Sequence, residues 1–233
     1  MKVKFHHIAI LALMLAGTSC KKDNYAAPSV TLKGSLVYKG TPIGVEYNQV
    51  PFELYQTGYK GNAPITGTFD QDGNYSVLTF AGNYKFTMKP GQGPFEWKEL
   101  ASGARDTLAI ALTGDQTVNI EVTPFYMVNN AKITASGGQI TANFGIDKII
   151  TDATAHDIES VGLYVNKTQF VSRVDNAAKT EIAGSSITNM SSVSISVGTP
   201  TFQVTQNYVY ARVGIKIAGV EDMIFSPVTK VSY

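Results

Sequence analysis

Val209, Ala211, Val213, Ile215 and Ile217 recur at every second position, and this stripe constrains the fold more than any other feature of the chain. A period of two puts successive side chains on opposite faces, so the segment reads as a strand with one face on a core. The same alternation recurs elsewhere. Val118, Ile120 and Val122 alternate with Thr117, Asn119, Glu121 and Thr123. Tyr84, Phe86 and Met88 alternate with Lys85, Thr87 and Lys89, and Val193, Ile195 and Val197 alternate with serines. No segment shows a convincing 3.6-residue period, although residues 147–157 leave room for a short helical turn. Turn signals separate the runs, the clearest being Lys39-Gly40-Thr41-Pro42, Asp72-Gly73, Ala81-Gly82-Asn83, Thr113-Gly114-Asp115 and Ser136-Gly137-Gly138.

These signals predict strands near 31–38, 50–56, 65–69, 74–80, 84–89, 106–112 and 117–123. A second set is predicted near 131–136, 139–146, 158–165, 192–197, 207–217 and 222–231. Alternation stops between the sets, where Pro124 intervenes and Asn129-Asn130 offers a turn. The expected fold is therefore all-β, with two tandem β-sandwich domains over 30–126 and 127–233, each of about 100 residues.

The start of the chain carries an address. Lys2 and Lys4 precede an apolar run over 8–16, then Gly17-Thr18-Ser19 and Cys20. That apolar run is too short for a membrane span and reads as an export signal over 1–19. A cysteine directly behind small residues resembles the lipobox of bacterial lipoproteins, with Gly17 in place of the usual aliphatic residue. The resemblance implies that Cys20 becomes the acylated first residue of the mature chain and that 20–29 is a lipidated tether. Lys21-Lys22-Asp23-Asn24 resembles, in part, the tag that sends some lipoproteins to the cell surface; a solvated linker is the other reading.

Removing 19 of the 233 residues leaves 214, and takes two of the 19 basic residues, leaving 17 against 18 acidic. A near-neutral chain has no cationic excess for a phosphate backbone, so nucleic acid is not an expected partner. Cys20 is the only cysteine, so no intramolecular disulfide is available to an exported fold. Of the three histidines, only His156 lies beyond the signal, so neither a Cys/His metal site nor a Cys-His nucleophile pair can be assembled. No metal or cofactor is expected.

Gly34-Ser35-Leu36-Val37-Tyr38-Lys39-Gly40-Thr41-Pro42-Ile43, then Val50 to Tyr55, then Phe69-Asp70-Gln71-Asp72-Gly73-Asn74-Tyr75, resembles the transthyretin-like, carboxypeptidase-regulatory type of sandwich. That resemblance implies a structural or interaction module. Further runs extend it: Leu54-Tyr55-Gln56-Thr57-Gly58-Tyr59, Gly91-Gln92-Gly93-Pro94-Phe95, Val122-Thr123-Pro124-Phe125-Tyr126, Ile158-Glu159-Ser160-Val161-Gly162-Leu163-Tyr164-Val165 and Tyr210-Ala211-Arg212-Val213-Gly214. In order, these are similar to a domain-of-unknown-function family of two-domain lipoproteins that accompanies SusC/SusD-type outer-membrane glycan-uptake systems. The second half also resembles a fibronectin type III or immunoglobulin-like sandwich. The resemblance implies an outer-membrane, lipid-anchored, cell-surface protein with oligosaccharide, a transporter or its partner lipoprotein as partners, and because no catalytic motif is met no enzymatic activity is expected. A structural or adhesion module that binds proteins and no sugar is the alternative.

Within that frame, Phe95-Glu96-Trp97 follows the glycine- and proline-dense 89–94 stretch and is expected in a loop. An exposed Trp97 would stack on a sugar ring, with Glu96 or Glu99 accepting from hydroxyls and Tyr55, Tyr59 and Tyr126 extending the platform. Alternatively, Trp97 is a core anchor, since large aromatics are mostly buried. Gly91-x-Gly93 lacks the third glycine of a phosphate loop. Asp70-x-Asp72-Gly73 opens like a calcium loop, but the twelfth position is Ala81, and an Asx turn is expected. His156 beside Asp157 lacks any nucleophile motif and reads as a surface histidine.

Overall fold

A computed structural model describes residues 26–58, 61 and 63–233. The export segment, Cys20 and Tyr59 lie outside the described residues. The fold is all-β with two β-sandwiches, as the alternation predicts.

In the first sandwich, Val30–Tyr38 runs antiparallel to Asn74–Thr79 and Thr41–Pro42, and parallel to Gln116–Thr117 and Ile120–Glu121. The facing sheet is antiparallel throughout, in the order Ile65–Thr68, Pro51–Gln56, Gly82–Met88, Leu108–Leu112. Phe52, Phe69, Tyr75 and Phe86 fill the space between, with Phe52 stacked 4.9 Å from Phe86. Edge-on and offset ring pairs of this kind add stabilisation beyond the area they bury. The Asp70 turn is an Asx turn: Asp70 Oδ1 accepts from the N–H groups of Asp72 at 2.9 Å and Asn74 at 2.8 Å. No group of His, Cys, Asp and Glu able to hold a metal ion occurs among the described residues.

The second sandwich sets Tyr126–Ser136, Gln139–Lys148 and Val193–Gly198 against Ala178–Ala183, Ile158–Asn166, Tyr208–Ile217 and Met223–Phe225. Thr229–Ser232 also pairs with Tyr208–Ile217. Three expectations are corrected here. Asn129-Asn130 is not a turn but a bulge within Tyr126–Ser136, where the register shifts between Asn129 and Lys132 and Asn130 has φ 48°. Residues 147–157 hold a turn around Asp152 rather than a helical one; the one helical piece among the described residues is the 3-10 turn Gly184–Ser186. Phe95–Glu96 is not loop but a short strand paired with Thr123–Pro124.

The two sandwiches share a sheet. Gly44–Val45, from the first, pairs with Met223–Phe225 of the second. Arg212 lies beneath this junction with no solvent exposure. Its Nε donates to Val171 O, Nη1 to Gln71 O at 3.0 Å and Nη2 to Val45 O at 3.2 Å, and its guanidinium covers the Phe225 ring at 3.8 Å. Burial pulls the guanidinium down to about 10, against the fields of Glu46 and Asp72, so it stays charged at neutral pH. The Gln71 side chain spans the same seam, donating to Gln169 O at 2.9 Å and accepting from Val171 N–H at 3.4 Å. At the seam's far end, Gly93 N–H donates to the buried Asp222 carboxylate at 2.6 Å. No described helix is long and apolar enough to cross a membrane.

Candidate functional site

The sequence departs from regular strand after Met88, and the site begins there. Gln92 is tied to Glu221 at 2.8 Å and Gly93 to Asp222, so the second domain holds the turn. A side chain at Gly93 would meet the Phe95 ring at 2.3 Å, and φ there is 87°, so only glycine lets Phe95 turn inward. Phe95 is buried, and its neighbours Glu96 and Trp97 are carried to the rim.

Trp97 is half-buried. One edge packs near Phe86, at 6.3 Å between centroids, and Nε1 donates to Asp106 O at 2.8 Å. Thr87 Oγ1 reaches the same carbonyl at 3.0 Å. The loop over 98–106 closes on itself through Asp106 N–H to Lys98 O at 2.8 Å and an ion pair of Arg105 with Glu99 at 3.7 Å. The indole therefore has a fixed orientation.

It faces a cleft of about 390 Å³ along the open edge of the first sandwich. Glu96, Trp97, Lys98, Asp106, Thr107 and Leu108 line one side, and Asn119, Glu121, Val122 and Thr123 the other. This is within the size range of small-molecule sites, with an aromatic wall and a few polar groups. Asn119 Oδ1 accepts from Ser35 N–H at 3.2 Å, and Glu121 Oε1 from Lys39 N–H at 2.6 Å. Those bonds position both side chains and leave the Asn119 amide N–H groups and the second Glu121 oxygen outside them. The arrangement suits a neutral polyhydroxylated ligand: a flat ring for C–H faces, and amide and carboxylate groups for hydroxyls.

The structure brings together only part of the sequence-derived site. Trp97 and Glu96 share the cleft. Phe95 supports it from the core. Tyr55 lies on the outer face of Pro51–Gln56, opposite Lys85, and donates to Glu53 at 2.9 Å; that bond, more than burial, raises its phenol above the ordinary range. It is on the other side of the sheet from Phe86 and Trp97. Tyr126 is buried in the second domain and donates to His156 O at 2.7 Å, so it offers a ligand no surface. Tyr59 is outside the described residues. His156 is exposed and stacks edge-on with Phe125 at 4.9 Å, far in role from any nucleophile. Asn119, Glu121 and Thr123 were the residues that sequence reasoning did not assign to the site. Their signal was present: they form the polar phase of the 117–123 alternation, and that phase faces Trp97.

Comparison with known proteins gives both halves a relative. Residues 30–123 match the family described as "Protein of unknown function (DUF3823) N-terminal domain", and residues 126–230 match "Domain of unknown function (DUF3823_C)". A solved DUF3823 family protein from Parabacteroides merdae is 31% identical, with a TM-score of 0.77, over 89% of this chain and 100% of that one. A second, from Bacteroides ovatus, is 29% identical, with a TM-score of 0.76, over 88% and 99%. A protein from Bacteroides uniformis described as a "putative carbohydrate binding protein" shares the fold at 17% identity and a TM-score of 0.67, over 89% and 100%. No curated protein matches the chain.

Proposed function

The chain belongs to the DUF3823 family, and on that premise we propose that it is a non-catalytic, lipid-anchored accessory protein that binds glycan at the Trp97 cleft. The observation that carries the reading is the fixed indole, with Glu96 beside it, facing Asn119 and Glu121 across one cleft. Stacking plus a few hydrogen bonds gives weak affinity for one sugar unit, which suits a protein that hands polysaccharide onward. The description of the Bacteroides uniformis fold relative is in keeping with this. In the same proposal, Cys20 carries the lipid, the protein stands on the outer membrane facing outward, and it serves a SusC/SusD-type uptake system. The first sandwich is the transthyretin-like type and the second the fibronectin-like type.

The test is equilibrium binding of the chain from Lys21 onward to plant, host and microbial polysaccharides. Wild type binds at least one of them, Trp97→Ala loses about tenfold or more, and no reducing ends appear. Unchanged binding by the variant moves the site elsewhere, and chain shortening ends the non-catalytic reading. Membrane association that persists in Cys20→Ala would end the lipoprotein reading. A scaffold that binds proteins without sugar is favoured by one feature, the outer edges of Ile65–Thr68 and Ala178–Ala183, which have no strand partner among the described residues and offer backbone groups to another strand.

A further inference from the structure

Away from the Trp97 cleft, an exposed aromatic pair sits at the seam between the domains. Tyr47 of the first domain and Phe170 of the second meet at 5.4 Å between centroids and 58° between planes. Both rings remain open to solvent, Tyr47 at 41% and Phe170 at 44%. Neither is on a loose segment. Tyr47 lies in a turn closed by Asn48 N–H to Phe69 O at 3.2 Å and Gln49 N–H to Glu46 O at 3.2 Å, with Asn48 at φ 58°. Phe170 is held on both flanks: the Gln71 amide bonds Gln169 O and Val171 N–H, and Asn166 Nδ2 donates to Phe170 O at 2.7 Å.

From Tyr47 a groove of about 290 Å³ runs over Asn48, Thr68, Asp70, Asn74 and Ser76. Its lining contains amide, hydroxyl and carboxylate groups and no lysine or arginine, so a phosphate or sulfate ester would find no counter-charge there. We propose that Tyr47 and Phe170 form a second subsite for a neutral pyranose unit, with the ring pair taking the sugar's C–H face and the groove its hydroxyls. The inference rests on the glycan-binding reading for the class of ligand, and on the seam geometry for the place. Rigid presentation is what gives an exposed aromatic pair value in binding, because the ordering has been done by folding. Two subsites on one rigid body would also raise avidity for a polymer that reaches both.

The experiment is affinity electrophoresis of the chain from Lys21 onward through gels containing xyloglucan, arabinoxylan, galactomannan or yeast mannan. With the polysaccharide that retards wild type, Tyr47→Ala and Phe170→Ala each weaken apparent affinity about tenfold, and Trp97→Ala leaves residual retardation. Tyr47→Phe keeps the ring and keeps the retardation. Unchanged melting temperatures of the alanine variants certify their folding, since both rings are at the surface. Wild-type retardation of both alanine variants, with loss only in Trp97→Ala, overturns this proposal and leaves the cleft intact. Loss in Tyr47→Ala and Phe170→Ala but not in Trp97→Ala supports the seam and overturns the cleft. Retardation of wild type by none of the four overturns both.

Discussion

Arg212 is the residue on which the most structure depends. It is a buried charge with no carboxylate in contact among the described residues, satisfied by three backbone carbonyls and the Phe225 ring. Two of those carbonyls, on Gln71 and Val45, belong to the other domain. Removing the guanidinium takes a donor from three buried carbonyls, of which Gln71 O keeps the Val45 N–H at 3.3 Å, so Arg212→Ala is expected to cost about 3–5 kcal/mol in urea unfolding. Arg212→Lys recovers little of it, because one ammonium cannot match the planar fork. Asp222 gives the opposite kind of prediction. Burial raises its carboxyl above the ordinary range, despite the bond from Gly93 N–H that favours the charged form. A carboxyl whose folded value is raised binds its proton more tightly in the folded state, so stability from this group is present at low pH and is lost as pH rises through the folded value. Asp222→Asn keeps an acceptor for Gly93 and removes the ionisation. The variant should match wild type near pH 3 and be the more stable of the two at pH 7, and the reverse ordering in paired melts would contradict this.

At the scale of elements, Gly34 shows how one residue shapes a sheet. A Cβ there would lie 1.9 Å from Val118 O. Val118 is where the parallel partner of Val30–Tyr38 breaks between Gln116–Thr117 and Ile120–Glu121, and its carbonyl instead accepts from Tyr75 Oη at 2.8 Å. Gly34→Ala should therefore destabilise by about 3 kcal/mol, whereas Gly114→Ala, with open space around it, should be near neutral. The long strands were legible because each buries one face, and alternation records that directly. The pieces that escaped were of another kind. Thr41–Pro42, Gly44–Val45 and Phe95–Glu96 are two residues each, too short for any period, and exist because a partner strand is beside them. Ala178–Ala183 is partly buried along its length and carries no clean alternation. Asn129-Asn130 has turn chemistry, which the fold uses for a bulge instead, since Asn tolerates the left-handed conformation in either setting. The site was half legible for the same reason: Glu96 and Trp97 are neighbours in sequence, but Asn119 and Glu121 reach them only through sheet packing.

For the whole molecule, the seam is the organising fact. Gly162 and Gly214 lie opposite each other in the second domain's sheet, and a Cβ at either would strike Tyr164 or Phe225. Their bareness leaves room for those rings, which meet at 5.9 Å and 61° with Phe225 beneath the Arg212 guanidinium. Tyr210-Ala211-Arg212-Val213-Gly214 is thus the hardware of the domain junction. Domains joined by a shared sheet and a buried arginine should unfold together, in one calorimetric transition whose van't Hoff and calorimetric enthalpies agree. Two resolved transitions would show that the seam does not couple them. That rigidity matters to the proposed binding because both the Trp97 turn and the Phe170 loop are held in place from across the junction. The most direct measurement is a titration of polysaccharide against the emission of Trp97, the one tryptophan in the chain. A half-buried indole on a sugar-binding cleft should show a saturable spectral shift and lose quencher access as one glycan is added. Emission and quenching that stay fixed while binding of that glycan is demonstrated by another method would contradict the account.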